Sequence, residues 1–131
     1  MTMKTIKVAD ATNVQLDWLV AQIVGPVRVW KDSAGNYREA SDSRVAPYFR
    51  PTRNWSQMGP IIEGEGIDVR LDRDRVFDPG EKVERWYASK PFDTIPDAEW
   101  VEYGSTPLIA VARCYVSSVL GEEVEVPEEL I

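Results

Sequence analysis

"STPLIAVARCYVSSVLG", residues 105–121, is the stretch on which the fold turns. Ser105 or Thr106 can cap a helix here, Pro107 suits its first turn, and Gly121 ends it. Leu108, Ile109, Val111, Ala112, Tyr115, Val116, Val119 and Leu120 wrap most of its surface. Near the centre only Arg113, Ser117 and Ser118 are polar. A helix that is apolar nearly all round is expected to be the most buried element, crossing the core.

A second helix is expected toward the other end, in "TNVQLDWLVAQIVGP" (12–26). Thr12 or Asn13 can cap it, and Gly25-Pro26 stops it. Leu16, Leu19, Val20, Ile23 and Val24 form its apolar face, with Trp18 at the flank and Asp17 directed away. Strands are expected in "TIKVAD" (5–10), on both sides of a turn at Ser33–Asn36 in residues 27–41, in "IDVRLD" (67–72) and in "VERWYAS" (83–89). In the hairpin, Val27, Val29 and Lys31 share one side. Residues 42–54 carry Pro47 and Pro51 and read as a loop. Asp78-Pro79-Gly80 is a turn signal, and residues 90–104 read as an extended, Pro-punctuated loop. Residues 122–131 are an acidic tail able to pack as an edge segment through Val124 and Val126. These elements predict a single α+β domain over 1–131. Its two main helices would lie on one face of a mostly antiparallel sheet of four to five short strands.

"PTRNWSQMGPII" (51–62) follows neither period and gathers special residues in one place. Asn54 can cap one or two helical turns, Gly59-Pro60 is expected to interrupt them, and a second short helix can begin at Pro60.

The chain has 131 residues, a size expected to bury a core without metal or disulfide staples. Five Trp are many for that length, and some are expected at half-exposed pockets or interfaces. The net charge of −7 argues against general nucleic-acid binding, although Arg50 and Arg53 can form a local basic patch for an anionic small molecule. Histidine is absent, which removes His-based acid–base catalysis, Ser–His and Cys–His pairs and His-containing zinc sites. The lone Cys114 admits no intrachain disulfide. No signal peptide and no apolar run long enough to span a bilayer is visible, so a cytoplasmic location is expected.

Three stretches carry a resemblance: "LDW" (16–18), "PTRNWSQMGPIIE" (51–63) and "GSTPLIAVARCYVSSVLGEEVEVPEEL" (104–130). In order and spacing they resemble the NinX proteins of bacteriophage and prophage accessory regions. The family often has Gly–Gly where this chain has Met58-Gly59, and Gly–Pro–Thr–Pro–Leu where it has Gly104-Ser105-Thr106-Pro107-Leu108. The resemblance implies a phage-derived protein in a bacterial cytoplasm. It transfers no catalytic residue, since the family has no assigned activity.

Four constellations were weighed as sites. Tyr48, Arg50, Thr52, Asn54, Trp55 and Gln57 offer aromatic faces, amides and a guanidinium for a ligand or partner; equally, they fit a capped loop anchored by Trp55. Asp17 and Trp18 can join that surface or be a surface acid beside a core-edge Trp. Glu63, Glu65, Asp68, Asp72, Asp74 and Asp78 lack calcium-loop order and alternate with Arg70, Arg73 and Arg75, so a solvated, ion-paired face is expected rather than a metal site. Cys114 sits mid-helix and is expected to be an inert buried thiol. No cofactor is implied. The expected role is a non-enzymatic binding protein for a host or phage protein or a small ligand. One alternative is a small enzyme on a nucleotide- or sugar-like substrate, using Arg50, Asn54 and Asp17. Another is a structural role through homo-oligomerisation.

Overall fold

The computed structural model describes residues 2–25, 29–39, 48–92 and 94–131. Among them are three helices, α1 (Asn13–Val24), α2 (Trp55–Glu65) and α3 (Pro107–Leu120). Seven strands accompany them: β1 (Met3–Lys7), β2 (Val29–Lys31), β3 (Tyr37–Glu39), β4 (Asp68–Leu71), β5 (Trp86–Pro91), β6 (Glu99–Gly104) and β7 (Glu123–Pro127). The α+β class holds, but the arrangement differs from the one expected. The strands form three small antiparallel sheets, β1–β7, β2–β3 and β4–β5–β6, rather than one.

α3 is the core element its composition demands. The Thr106 hydroxyl accepts from the Ile109 N–H at 3.2 Å, and every residue from Leu108 to Ser117 is buried. It packs against β5 and β6 on one side and α1 on the other. Each fully buried Val or Leu in such a contact contributes about 1.5–3 kcal/mol. α1 opens on a reciprocal capping box, Thr12 N–H to Gln15 Oε1 at 2.9 Å and Gln15 N–H to Thr12 Oγ1 at 3.4 Å. It buries Leu16, Leu19 and Val20 as expected. The accompanying expectations for Pro26, Val27, Arg28 and residues 42–47 lie outside the described residues.

Four local expectations are corrected. The 54–66 segment is one continuous helix, α2, not two pieces. Pro60 is tolerated because it and Ser56, whose carbonyl loses its partner, are both exposed, so water can replace the missing N–H. Residues 99–104, expected in a loop, form β6 because β5 supplies a complete partner ladder from Trp86↔Gly104 to Pro91↔Glu99. Val8 leaves the first strand for a 3-10 turn, where it is wholly buried. Asp17 does not face away from the core; it is only 7% exposed, because residues 51–53 pack over it.

Candidate functional site

A cleft of about 270 Å³ forms where four parts of the chain meet. α1 contributes Val14, Asp17 and Trp18, and the β2–β3 hairpin contributes Lys31, Gly35, Asn36 and Tyr37. Tyr48, Phe49, Arg50 and Arg53 form a third wall, and Pro127, Glu129 and Leu130 the fourth. Each wall has its own tether. Gln15 Nε2 donates to the Leu130 carbonyl at 3.1 Å, tying the segment after β7 to α1. Phe49 N–H donates to the Tyr37 carbonyl at 2.9 Å, adding residues 48–49 to the hairpin edge. Gln57 accepts from the Arg50 N–H at 2.7 Å and donates to the Tyr48 carbonyl at 2.8 Å. Thr52 N–H donates to Asp17 Oδ1 at 2.9 Å, joining that segment to α1.

The charge in the cleft opposes that of the whole protein. Lys31, Arg50 and Arg53 line it, and none of the three forms an ion pair among the described residues. The Tyr48 ring lies under two guanidiniums, Arg38 at 3.8 Å and Arg50 at 4.6 Å from its centroid. Arg38 is held by Asp32 at 3.0 Å. The Asn36 N–H and then Arg38 hold the Asp32 carboxyl below its ordinary range. Burial pushes Asp17 above its ordinary value, against the opposing pull of Thr52, Arg53 and Arg50. The buried Thr52 hydroxyl adds to that pull yet makes no hydrogen bond of good geometry.

Of the residues singled out from sequence, Asp17, Trp18, Tyr48 and Arg50 come together in the cleft wall. The other four stand behind or beside it. Gln57 is wholly buried and clamps the backbone on both sides of Phe49. Thr52 is buried and positions Asp17. Asn54 caps α2, its Oδ1 accepting from the Ser56 N–H at 3.0 Å and the Gln57 N–H at 3.4 Å. Trp55, in the first turn of α2, is 57% exposed and contributes to neither the core nor the cleft. Lys31, Tyr37 and the 127–130 segment were not singled out; only the hairpin signal and the Val124/Val126 alternation hinted at where they would go.

The remaining constellations are ordinary surface and core. Glu65 pairs with Lys90 at 2.8 Å and Asp68 with Arg70 at 3.2 Å. Among the described residues no three acids or thiols gather at metal-binding range. Cys114 is buried, its thiol pushed up to about 12 chiefly by desolvation.

Over residues 7–118 the chain matches the family described as "Bacteriophage P22, NinX". Among solved structures it is similar to a phage protein from Bacillus cereus ATCC 14579. That likeness has a TM-score of 0.50 and 14% identity, and it covers 83% of this chain and 93% of the other. At that identity it bears on the fold alone. No curated protein matches the chain.

Proposed function

We propose, for a chain that belongs to the NinX family of bacteriophage proteins, a role as a non-enzymatic binding protein. It would act as a single domain in the bacterial cytoplasm, holding an anionic ligand between α1, the hairpin and residues 48–53. One observation carries this reading. Three cations without ion pairs among the described residues and four aromatic rings, brought from distant parts of an acidic chain, line one cleft. Such convergence of charge and flat apolar surface is the usual make-up of a small-ligand site. Among the described residues, no helix is long and apolar enough to cross a membrane.

A second reading, a small enzyme, is favoured by Asp17, a buried carboxylate held above its ordinary pKa in a cleft wall. The described lining offers no nucleophile hydrogen-bonded to a base, so binding is the stronger conclusion.

The test is a melting-temperature panel of anionic, neutral and cationic small molecules. Anionic aromatic compounds are expected to raise the melting temperature, since a ligand at 100 times its Kd adds about 2.7 kcal/mol. The combined Arg50→Ala, Arg53→Ala variant should lose the response. A flat response from every class would overturn the reading, and turnover of a stabilising compound would replace binding by catalysis.

A further inference from the structure

We infer that the cleft takes a nucleoside 5′-monophosphate unit whose base carries an exocyclic amino group, an inference that rests on the binding role proposed above.

Charge comes first. Lys31, Arg50 and Arg53 line the cleft without ion pairs among the described residues, against the buried Asp17 and the exposed Glu129. A single carboxylate on a ligand would leave this cationic side under-used. A phosphate monoester carries roughly −1.5 to −2 charges at neutral pH. The planar guanidinium fork also matches phosphate oxygens two at a time.

The aromatic walls differ in their availability. Tyr48 is engaged by Arg38 and Arg50, so its work is to hold Arg50 in place. Trp18 remains for a flat ring, and Tyr37 carries only the more distant Lys31 ammonium, 6.0 Å from its centroid. Gln22 links them, donating through Nε2 to the Tyr37 hydroxyl at 2.9 Å and to the Trp18 carbonyl at 3.4 Å. A base stacks on such surfaces whatever its identity.

Asp17 supplies the discrimination that stacking lacks. One of its oxygens accepts from the Thr52 N–H. The Thr52 hydroxyl, which pulls on the same carboxylate, lies beside it without a hydrogen bond of good geometry, and Asp17 is part of the cleft wall. A largely buried carboxylate favours a partner that brings an N–H donor. The exocyclic amino groups of adenine, cytosine and guanine do so, whereas the one edge donor of uracil, N3–H, is flanked by two carbonyl oxygens that the carboxylate repels.

Size sets the upper limit. About 270 Å³ accommodates a ligand of mononucleotide scale, not a duplex. The net charge of −7 also disfavours a long polyanion.

Isothermal titration calorimetry with AMP, CMP, UMP, adenosine, inorganic phosphate and a 5′-phosphorylated diadenosine tests the inference. AMP or CMP should bind at least tenfold more tightly than UMP, adenosine or inorganic phosphate. Arg50→Ala and Arg53→Ala, both at exposed positions, should each weaken AMP binding at least tenfold with the melting temperature of the free protein unchanged. Asp17→Asn, which keeps an acceptor for Thr52, should erase the preference for AMP over UMP. Binding of the dinucleotide more tightly than AMP assigns the unit to a nucleic-acid end; the reverse order assigns it to the free nucleotide. Inorganic phosphate binding as well as AMP overturns the inference. So does a protein that ignores nucleotides yet responds to other anionic aromatics, which leaves the binding role standing. Silence from all compounds overturns both.

Discussion

The backbone N–H of Thr52 and the carboxylate of Asp17 meet at 2.9 Å, joining α1 to a segment 35 residues later in the chain. Both residues are buried, and without the carboxylate the Thr52 N–H loses its partner. Asp17→Ala should cost about 1–3 kcal/mol in urea denaturation, the penalty for a buried donor left unmade. Asp17→Asn should retain most of that stability.

The same carboxylate has a pH signature. Burial raises its folded-state pKa above 3.8, so the folded chain holds the proton more tightly than the unfolded chain. Its stabilising contribution is therefore complete below 3.8 and is lost as pH rises through the folded value. Stability relative to Asp17→Asn should accordingly rise for the wild type as pH falls from neutrality through the window just above 3.8. A difference that stays constant or shrinks would refute the assignment. Glu102, raised above 4.5 by burial despite the Ser117 hydroxyl at 2.8 Å, should behave likewise against Glu102→Gln.

Arg113 sits 2% exposed in the middle of α3. It donates to Glu84 at 2.7 Å, the Tyr103 carbonyl at 2.8 Å and the Ala11 carbonyl at 3.0 Å. It thus ties together the residues before α1, the approach to β5 and strand β6. Arg113→Ala is expected to destabilise by roughly 3–5 kcal/mol, because it leaves two carbonyls without their donor and Glu84 with only Lys82 at 3.3 Å. Glu84→Gln should cost less, since the amide oxygen still accepts.

Two glycines should respond to alanine with opposite signs. A Cβ at Gly104 would stand 2.5 Å from the Ala110 nitrogen and 2.9 Å from Ile109 Cγ2, so Gly104→Ala should lose about 1–3 kcal/mol. Nothing lies within 4 Å of a Cβ at Gly59, which is inside α2. Gly59→Ala should gain about 0.5–1 kcal/mol by removing backbone freedom from the unfolded chain. Chemical denaturation of both variants checks the pair.

Cys114 should resist a thiol-specific reagent at pH 8 in the folded protein and react stoichiometrically in denaturant. A thiol pushed up to about 12 within α3 offers almost no thiolate. Prompt labelling of the folded chain would contradict its placement.

What could be read in advance follows from the range of the interactions. Thr12, Asn54 and Thr106 cap helices through atoms two or three residues away, and all three were legible as caps. Val69 and Leu71 alternate within one strand, so β4 was legible too. β6 was not, because Trp100, Glu102 and Gly104 acquire a common face only once β5 lies beside them. The cleft shows the same division. Arg50 and Tyr48 stand out by type, and Arg53 was noted as part of a basic patch. Asp17 reads from sequence either as part of that surface or as a surface acid, and its burial is not legible, since no local pattern says that Thr52 will cover it. Gln57 looked like a ligand contact for its amide, yet that amide is spent on the backbone of residues 48 and 50.

β1 and β7 pair from Met3↔Pro127 to Lys7↔Glu123, and Glu128 N–H reaches the Thr2 carbonyl at 2.9 Å. That ladder closes the longest loop the described chain contains, and closing it carries the largest entropic delay during folding. The wall formed by Pro127, Glu129 and Leu130 hangs from this ladder. Refolding would then assemble the helical core first and the cleft last. Trp18, lining that cleft, would report its completion as a fluorescence phase slower than the recovery of helical circular dichroism.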